Sequence, residues 1–294
     1  MPAELLLLGT VLLWSFNYTA VRFGVTHGFA PLAYASLRWG MAALVLGAVA
    51  WKRGLSLRIE RRDLARLAGV SFVGIFLNQI TLLYGLRLAQ ASTVALVFGT
   101  LPILISLISQ LSGLERLQPR HWIASGVSFA GVGLVALGTG GSLSGSLGGI
   151  LLALATVCSF AVYSVGIVPV FERHSPLVVT TVTSLIGACY LAVGAAPVLA
   201  GADWGRPGGL AWSALLYSAL ASIVLGNIFW FVAISRVGPG RASLYANLQP
   251  FLAAVFAVLV LSERLDAIQI AGGLVITAGL VLGRKGRLGA PPLE

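Results

Sequence analysis

Charge is scarce in this chain. Only 10% of its 294 residues are Asp, Glu, Lys or Arg and 58% are hydrophobic, whereas an ordinary soluble domain carries about 25% charged residues. The mean hydropathy is +0.95, and a soluble fold of this length cannot hide that much apolar surface, which excludes water as the principal solvent. Acids are the scarcest charges. Glu4, Glu60, Asp63, Glu115, Glu172, Asp203, Glu263, Asp266 and Glu294 all fall at a terminus or between apolar runs. None is expected inside a membrane span, where proton relays of pumps usually place a carboxylate, so facilitated or potential-driven movement of solute is the expectation. Histidine is nearly as rare, and His27, His121 and His174 sit at the ends of apolar runs. Without clustered acids or an HxxxH-like spacing, neither a metal centre nor a membrane-embedded transferase is expected. Cys158 and Cys189 both lie within apolar runs, which argues against a disulfide framework or a zinc site. No cofactor is implied.

What the chain does have is long apolar runs. A bilayer core of ~30 Å needs roughly 20 apolar residues per helix. The runs near 3–25, 31–51, 67–86, 92–111, 121–137, 147–170, 176–200, 209–235, 241–261 and 267–282 each meet or approach that length. The expected fold class is an all-α polytopic membrane protein with ten transmembrane helices. The first run lacks a basic leading region and is too long for a signal-peptide core, so it reads as a retained helix. The net charge of +10 does not read as nucleic-acid binding, because the basic residues occupy short loops rather than a face or a recognition motif. They orient the chain instead. With the N-terminus in the cytoplasm, Arg22, Arg87, Arg206 and Arg264 fall outside, Arg38 lies within the second run, and the rest of the 19 Lys and Arg residues fall inside. Both termini are therefore expected in the cytoplasm.

The chain also repeats itself. A shift of 148 residues carries Pro102 onto Pro250 and Glu115-Arg116-Leu117 onto Glu263-Arg264-Leu265, and a shift of 146 carries Thr10-Val11 onto Thr156-Val157. The expected organisation is a first five-helix repeat at 3–137, a linker at 138–146, a second repeat at 147–283 and a cytoplasmic tail at 284–294. An odd number of spans per repeat makes the second enter the membrane upside down. Inverted repeats of this kind are a transporter architecture with the solute site near the midplane between the halves.

Several features together look like one family: Trp14-Ser15-Phe16-Asn17 in the first run, Leu37-Arg38 in the second, Tyr84 ahead of an Ala-rich run with Pro102, and Glu-Arg-Leu before a Gly-rich run, twice. They resemble the EamA-type branch of the drug/metabolite transporter superfamily, across nearly the whole chain. The resemblance implies a ten-helix inverted-repeat carrier that works by alternating access in a bacterial inner membrane. Within the branch the chain looks most like exporters of amino acids, aromatic ones included, and related metabolites. The small multidrug antiporters of the same superfamily rely on an embedded glutamate, and this chain departs from that pattern.

Polar residues within the runs give the candidate site, independently of the family. A polar group facing lipid is costly, so Asn17, Asn78, Gln79, Asn227, Asn247 and Gln249 should face a cavity or one another. Aromatic residues share their helix faces: Trp14 with Asn17, Asn227 with Trp230, and Tyr245 with Gln249, at spacings of three or four. Trp14, Asn17, Asn78, Tyr84, Tyr163, Asn227, Trp230, Tyr245 and Gln249 are the expected solute-binding residues, with Pro102 and Pro250 as candidate hinges. Rings with a few convergent amides suit a small, partly apolar solute with polar ends. The same amides suit plain helix–helix packing. Arg38 is either a structural arginine or a clamp for a solute carboxylate. The fifth and tenth runs, rich in Gly and Ala, are expected scaffold, with Gly279 and Gly283 at close-packing spacing. Each Glu-Arg-Leu reads as a helix end with a local charge pair. The expected partners are a small-molecule substrate and membrane lipid, with the protein a monomer. A multidrug exporter of lipophilic cations is the alternative, held by cation–π contacts; a channel would need a charged ring, and none is seen.

Overall fold

The computed structural model describes residues 1–88, 97–138, 147–261 and 267–284. The linker after Gly138, the triplet Glu263-Arg264-Leu265 and most of the C-terminal tail lie outside the described residues. Within them the chain is helical, without strands. We number the helical runs in order. α1 is Ala3–Thr26 and α2 is Pro31–Lys52. α3 starts as Arg61–Ser71, passes through a π-helical Phe72–Leu77 and continues as Asn78–Leu88. α4 is Leu101–Leu111, α5 Pro119–Gly138, α6 Leu147–Gly166 and α7 Pro176–Ala200. α8 runs through Gly209–Tyr217, a π-helical Ser218–Gly226 and Asn227–Val237. α9 comprises Pro239–Leu244, a 3-10 turn at Tyr245–Asn247 and Leu248–Leu261, and α10 is Ala267–Arg284. Proline in the first turn starts α2, α7 and α9, where its missing N–H costs no helical bond. Among the described residues, six helices are long and apolar enough to cross a membrane: Ala3–Thr26, Pro31–Lys52, Arg61–Gly85, Leu147–Glu172, Pro176–Ala200 and Gly209–Val237. Leu101–Leu111 and Ile270–Gly283 are shorter apolar helices.

Packing pairs the halves reciprocally. α1 lies along α8 while α6 lies along α3, α2 pairs with α7, and α5 pairs with α10. The irregular stretches obey the same pairing. Both π-helical segments occur at the corresponding place, and each ends at an asparagine, Asn78 or Asn227. A π turn loosens the backbone ladder and leaves carbonyls to be satisfied by others. In α8 the crossing helix does this: the Thr10 hydroxyl donates to the Gly226 carbonyl at 3.3 Å, and Trp14 Nε1 donates to the Ser222 carbonyl at 3.1 Å.

At the α5–α10 contact backbone meets backbone. A Cβ on Gly131 would stand 2.7 Å from the Ile276 nitrogen and 2.8 Å from the Gly272 oxygen, and one on Gly272 would meet the Val135 nitrogen at 2.7 Å. The backbones touch because neither residue has a side chain. Gly279 also packs on α5, where a Cβ would lie 2.8 Å from the Ser128 nitrogen.

At the ends of the bundle, contacts join segments that the charge pattern assigns to one side. Arg173, after α6, donates twice to Asp63 of α3, at 2.8 and 2.6 Å. Arg120 donates to the Leu282 carbonyl and Arg236 to the Met1 carbonyl. At the opposite end, Gly28 lies against the backbone of Arg206 and Pro207. A groove of about 500 Å³ opens there, lined by Thr26, Phe29, Trp204 and Arg206 among others. Asp63 belongs to α3 itself, because that helix starts six residues before the expected Leu67.

Candidate functional site

The centre of the bundle is a cluster of rings flanked by a hydrogen-bonded polar chain. Trp14 of α1 meets Phe160 of α6 edge-on at 5.5 Å and Trp230 of α8 at 5.2 Å. Phe160 lies 6.1 Å from Trp230 and 6.5 Å from Tyr163, and Tyr163 meets Phe231 at 5.3 Å. Trp230 and Tyr163 are fully buried, with polar edges satisfied. Trp230 Nε1 donates to Ser164 at 3.3 Å, and the Tyr163 hydroxyl donates to Thr183 at 2.8 Å. The rings come from both halves of the chain, Trp14 from the first and Phe160, Tyr163, Trp230 and Phe231 from the second.

The polar chain centres on Arg38. Its Nη1 donates to the Ser218 hydroxyl at 2.9 Å, and its Nη2 donates to the Gln79 carbonyl oxygen. Ser218 in turn donates to Asn17 at 2.6 Å. Gln79 donates to Asn78 at 3.1 Å, and Asn78 donates to the Thr156 carbonyl at 2.9 Å. The guanidinium carbon also lies 5.9 Å from the Tyr34 ring centre. One cation thereby ties α1, α2, α3, α6 and α8 together through neutral groups. The α2 helix, which contains no amide residue, supplies the hub. Arg38 and Asp63 are the buried charged side chains among the described residues, apart from His121. Asp63 is paired with Arg173 at the bundle end, so Arg38 has no counter-charge among the described residues.

The expected site residues separate into groups. Trp14, Tyr163 and Trp230 meet in the ring cluster, and Asn17 and Asn78 belong to the Arg38 chain. Asn227 is buried at the end of the π segment and makes no side-chain hydrogen bond among the described residues. Tyr245 and Gln249 are buried in and just after the 3-10 turn of α9, and the Gln249 carbonyl accepts from Ser15 at 3.3 Å. Tyr84 is 44% exposed on α3, away from the rings. Pro102 and Pro250 each stand in the first turn of a helical segment that follows an interruption, the turn at 99–100 in α4 and the 3-10 turn in α9. Proline cannot close a bond to the carbonyl four residues back, so both breaks have a local cause.

Two residues of this centre, Phe160 and Ser218, were not singled out by the sequence, and a third, Asn247, was expected to face a cavity. Phe160 is an ordinary phenylalanine in an apolar run, although the 146-residue shift carries Trp14 onto it. Ser218 offers no sequence signal beyond being polar. Asn247 is 1% exposed, and both of its amide atoms are sealed without a hydrogen-bond partner. Glu115 corrects a further reading. Instead of a local charge pair, its carboxylate accepts from Ser109 at 2.7 Å and from the Gly240 N–H at 2.8 Å, reaching from the first half to the start of α9. No group of metal-ligating side chains occurs among the described residues.

Comparison with known proteins agrees with this architecture. The sequence model of the EamA-like transporter family matches residues 1–137 and again residues 147–283. The "Uncharacterized transporter YyaM" of Bacillus subtilis (strain 168) is 24% identical over 290 residues, covering 94% of this chain and 92% of that one. A "Probable terminal-alkyne amino-acid exporter" of Streptantibioticus cattleyicolor is 27% identical over 285 residues, covering 95% and 92%. A crystal structure superimposes with a TM-score of 0.82 at 22% identity, covering 96% of this chain and 98% of the other, which establishes the shared fold. With the family matched in both halves and several helices able to span a bilayer, the chain is a multi-pass membrane protein that belongs to the EamA-like transporter family.

Proposed function

We propose that the protein is a secondary transporter that exports small organic solutes, chiefly amino acids and aromatic ones among them, across the bacterial inner membrane by alternating access. The observation that carries the reading is the unbalanced core: a ring cluster shared by the two halves, beside a buried Arg38 whose hydrogen-bonding partners are all neutral. An uncompensated cation in a low-dielectric interior favours a solute with a carboxylate and disfavours a bare cation. The rings supply apolar and π contact for the rest of the molecule. The name borne by the Streptantibioticus relative points to the same solute class. Enzymatic chemistry is not part of this reading.

The topology that goes with it has ten crossings in two inverted repeats, 3–137 and 147–283, both termini cytoplasmic, and the functional unit a monomer. Support comes from the bundle-end contacts. Asp63 with Arg173, Glu115 with Gly240, Arg120 with Leu282 and Arg236 with Met1 all join segments on the Lys/Arg-rich side, and Gly28 with Arg206 joins segments on the other. On this reading Pro102 and Pro250 mark the bends about which α4 and α9 move.

The alternative, an exporter of lipophilic cations, would use the same rings. Uptake into liposomes of phenylalanine, tryptophan, leucine and ethidium decides between them. The reading expects saturable amino-acid uptake with little ethidium movement; ethidium uptake without amino-acid uptake would reverse it.

A further inference from the structure

In a membrane interior an amide without a partner raises the free energy of the protein, and native cores rarely tolerate one. The bonded amides here need no functional explanation. Asn17 accepts from Ser218, Asn78 bonds Gln79 and the Thr156 carbonyl, and Gln79 bonds Arg38. They hold helices together. Asn247 differs from all of them. Among the described residues it is the one core amide whose oxygen and nitrogen are both sealed and both unpartnered. It also stands where the backbone is broken, in the 3-10 turn that Pro250 imposes on α9. That turn packs on α1, α4 and α5. Breaks of this kind within transporter helices lie at solute sites, because the freed polar groups are tolerable only where something else binds them.

We propose that Asn247 is a solute-contacting residue, its amide left unpartnered without solute and bonded when solute reaches the break in α9. An amide presents a donor beside an acceptor, so the matching solute carries both, as the ammonium and carboxylate of an amino acid do. The inference rests on the transport reading above. Its physical consequence separates it from a packing role. A structural amide is stabilising in the empty protein, whereas replacing an unpartnered one by an apolar side chain of similar size is neutral or stabilising.

The test uses the full-length protein and two variants, Asn247→Leu and the less demanding Asn247→Ala. Melting in detergent is measured without solute, and uptake of phenylalanine, leucine and ethidium is measured in liposomes. The expected result is an Asn247→Leu protein that melts at or above the wild-type temperature, with uptake down about tenfold or more in both variants. Asn247→Leu melting well below wild type would show that the amide already has a structural partner and would overturn the inference, as would unchanged uptake by folded Asn247→Ala. A wild type that carries ethidium and no amino acid defeats the amino-acid reading alone. The same tenfold loss of ethidium uptake then supports Asn247, and unchanged ethidium uptake overturns it. A wild type that moves none of the three overturns both.

Discussion

Trp14 and Phe160 occupy the same place in the two halves of the chain and touch each other, edge to face, with ring centres 5.5 Å apart. Residues related by an internal repeat meet only where the relating axis passes between them. The pair therefore marks the centre about which the two family-matched halves, 1–137 and 147–283, are arranged. Both rings are partly buried, so substituting either by alanine should cost less than the roughly 3–5 kcal/mol of a fully buried ring. Solute affinity should fall together with stability. Phe160→Leu, which keeps volume without the ring, separates the two: near wild-type melting with a raised KM for aromatic solutes is expected. An unchanged KM would remove Phe160 from the solute path.

The Arg38 chain makes a prediction about lysine. Each hydrogen bond to a charged group contributes roughly 1.5–3 kcal/mol, and a guanidinium reaches Ser218 and Gln79 at once. A lysine keeps a charge in the membrane, costing about 2.5–3.5 kcal/mol on insertion scales, yet has no planar fork with which to hold both partners. Arg38→Lys should thus be no more stable than Arg38→Met, and both should melt below wild type. A lysine variant indistinguishable from wild type in thermal unfolding would contradict the role of the fork.

Glu115 predicts a pH dependence of definite sign. Burial pushes its carboxyl above the ordinary 4.5, opposed by hydrogen bonds from Ser109 and Gly240 and by the charge of Arg241. A group with a raised value in this structure binds its proton more tightly there than when solvated. Its contribution to the Glu115–α9 contact is then fully present below pH 4.5 and is lost as pH rises through the raised value. Melting temperature, compared between wild type and Glu115→Gln, should show a wild-type loss across that window that the glutamine variant lacks. A separate handle is Gly240, where a Cβ would stand 2.8 Å from Glu115 Oε2. Gly240→Ala should weaken the contact and lower the melting temperature at every pH.

At the α5–α10 contact the prediction is steric. Gly131 and Gly272 admit backbone against backbone at distances no side chain fits. Gly272→Leu should separate the helices and reduce folded protein recovered from membranes, while a leucine at Gly126, which has open space around its Cα, should be tolerated. Equal recovery of the two variants would mean that the close approach contributes nothing.

Much of the fold was legible in the sequence because its physics is coarse. Long apolar runs demand helices in lipid, and Pro102, Pro250 and the two Glu-Arg-Leu triplets share one offset, which exposes the duplication. Trp14 and Trp230 were singled out because each shares a helix face with an amide, and the two rings lie together. The hub at Arg38 was hidden, since its hydrogen-bond partners, Ser218 and Gln79, lie on two other helices and have no fixed spacing from it. Glu115 was misread for a related reason. Its partner is a backbone N–H at Gly240, and a backbone donor leaves no mark in the identity of the residues. Phe160 was within reach through the offset that carries Thr10 onto Thr156.

The most direct measurement of the central claim is counterflow in liposomes, with phenylalanine inside and labelled phenylalanine outside, for wild type, Trp14→Ala and Phe160→Leu. The account predicts accumulation of label by wild type, an overshoot that needs no imposed proton gradient, and a reduced overshoot in both variants. Wild-type label that never rises above equilibrium, or transport strictly abolished when a proton gradient is withheld, would contradict it.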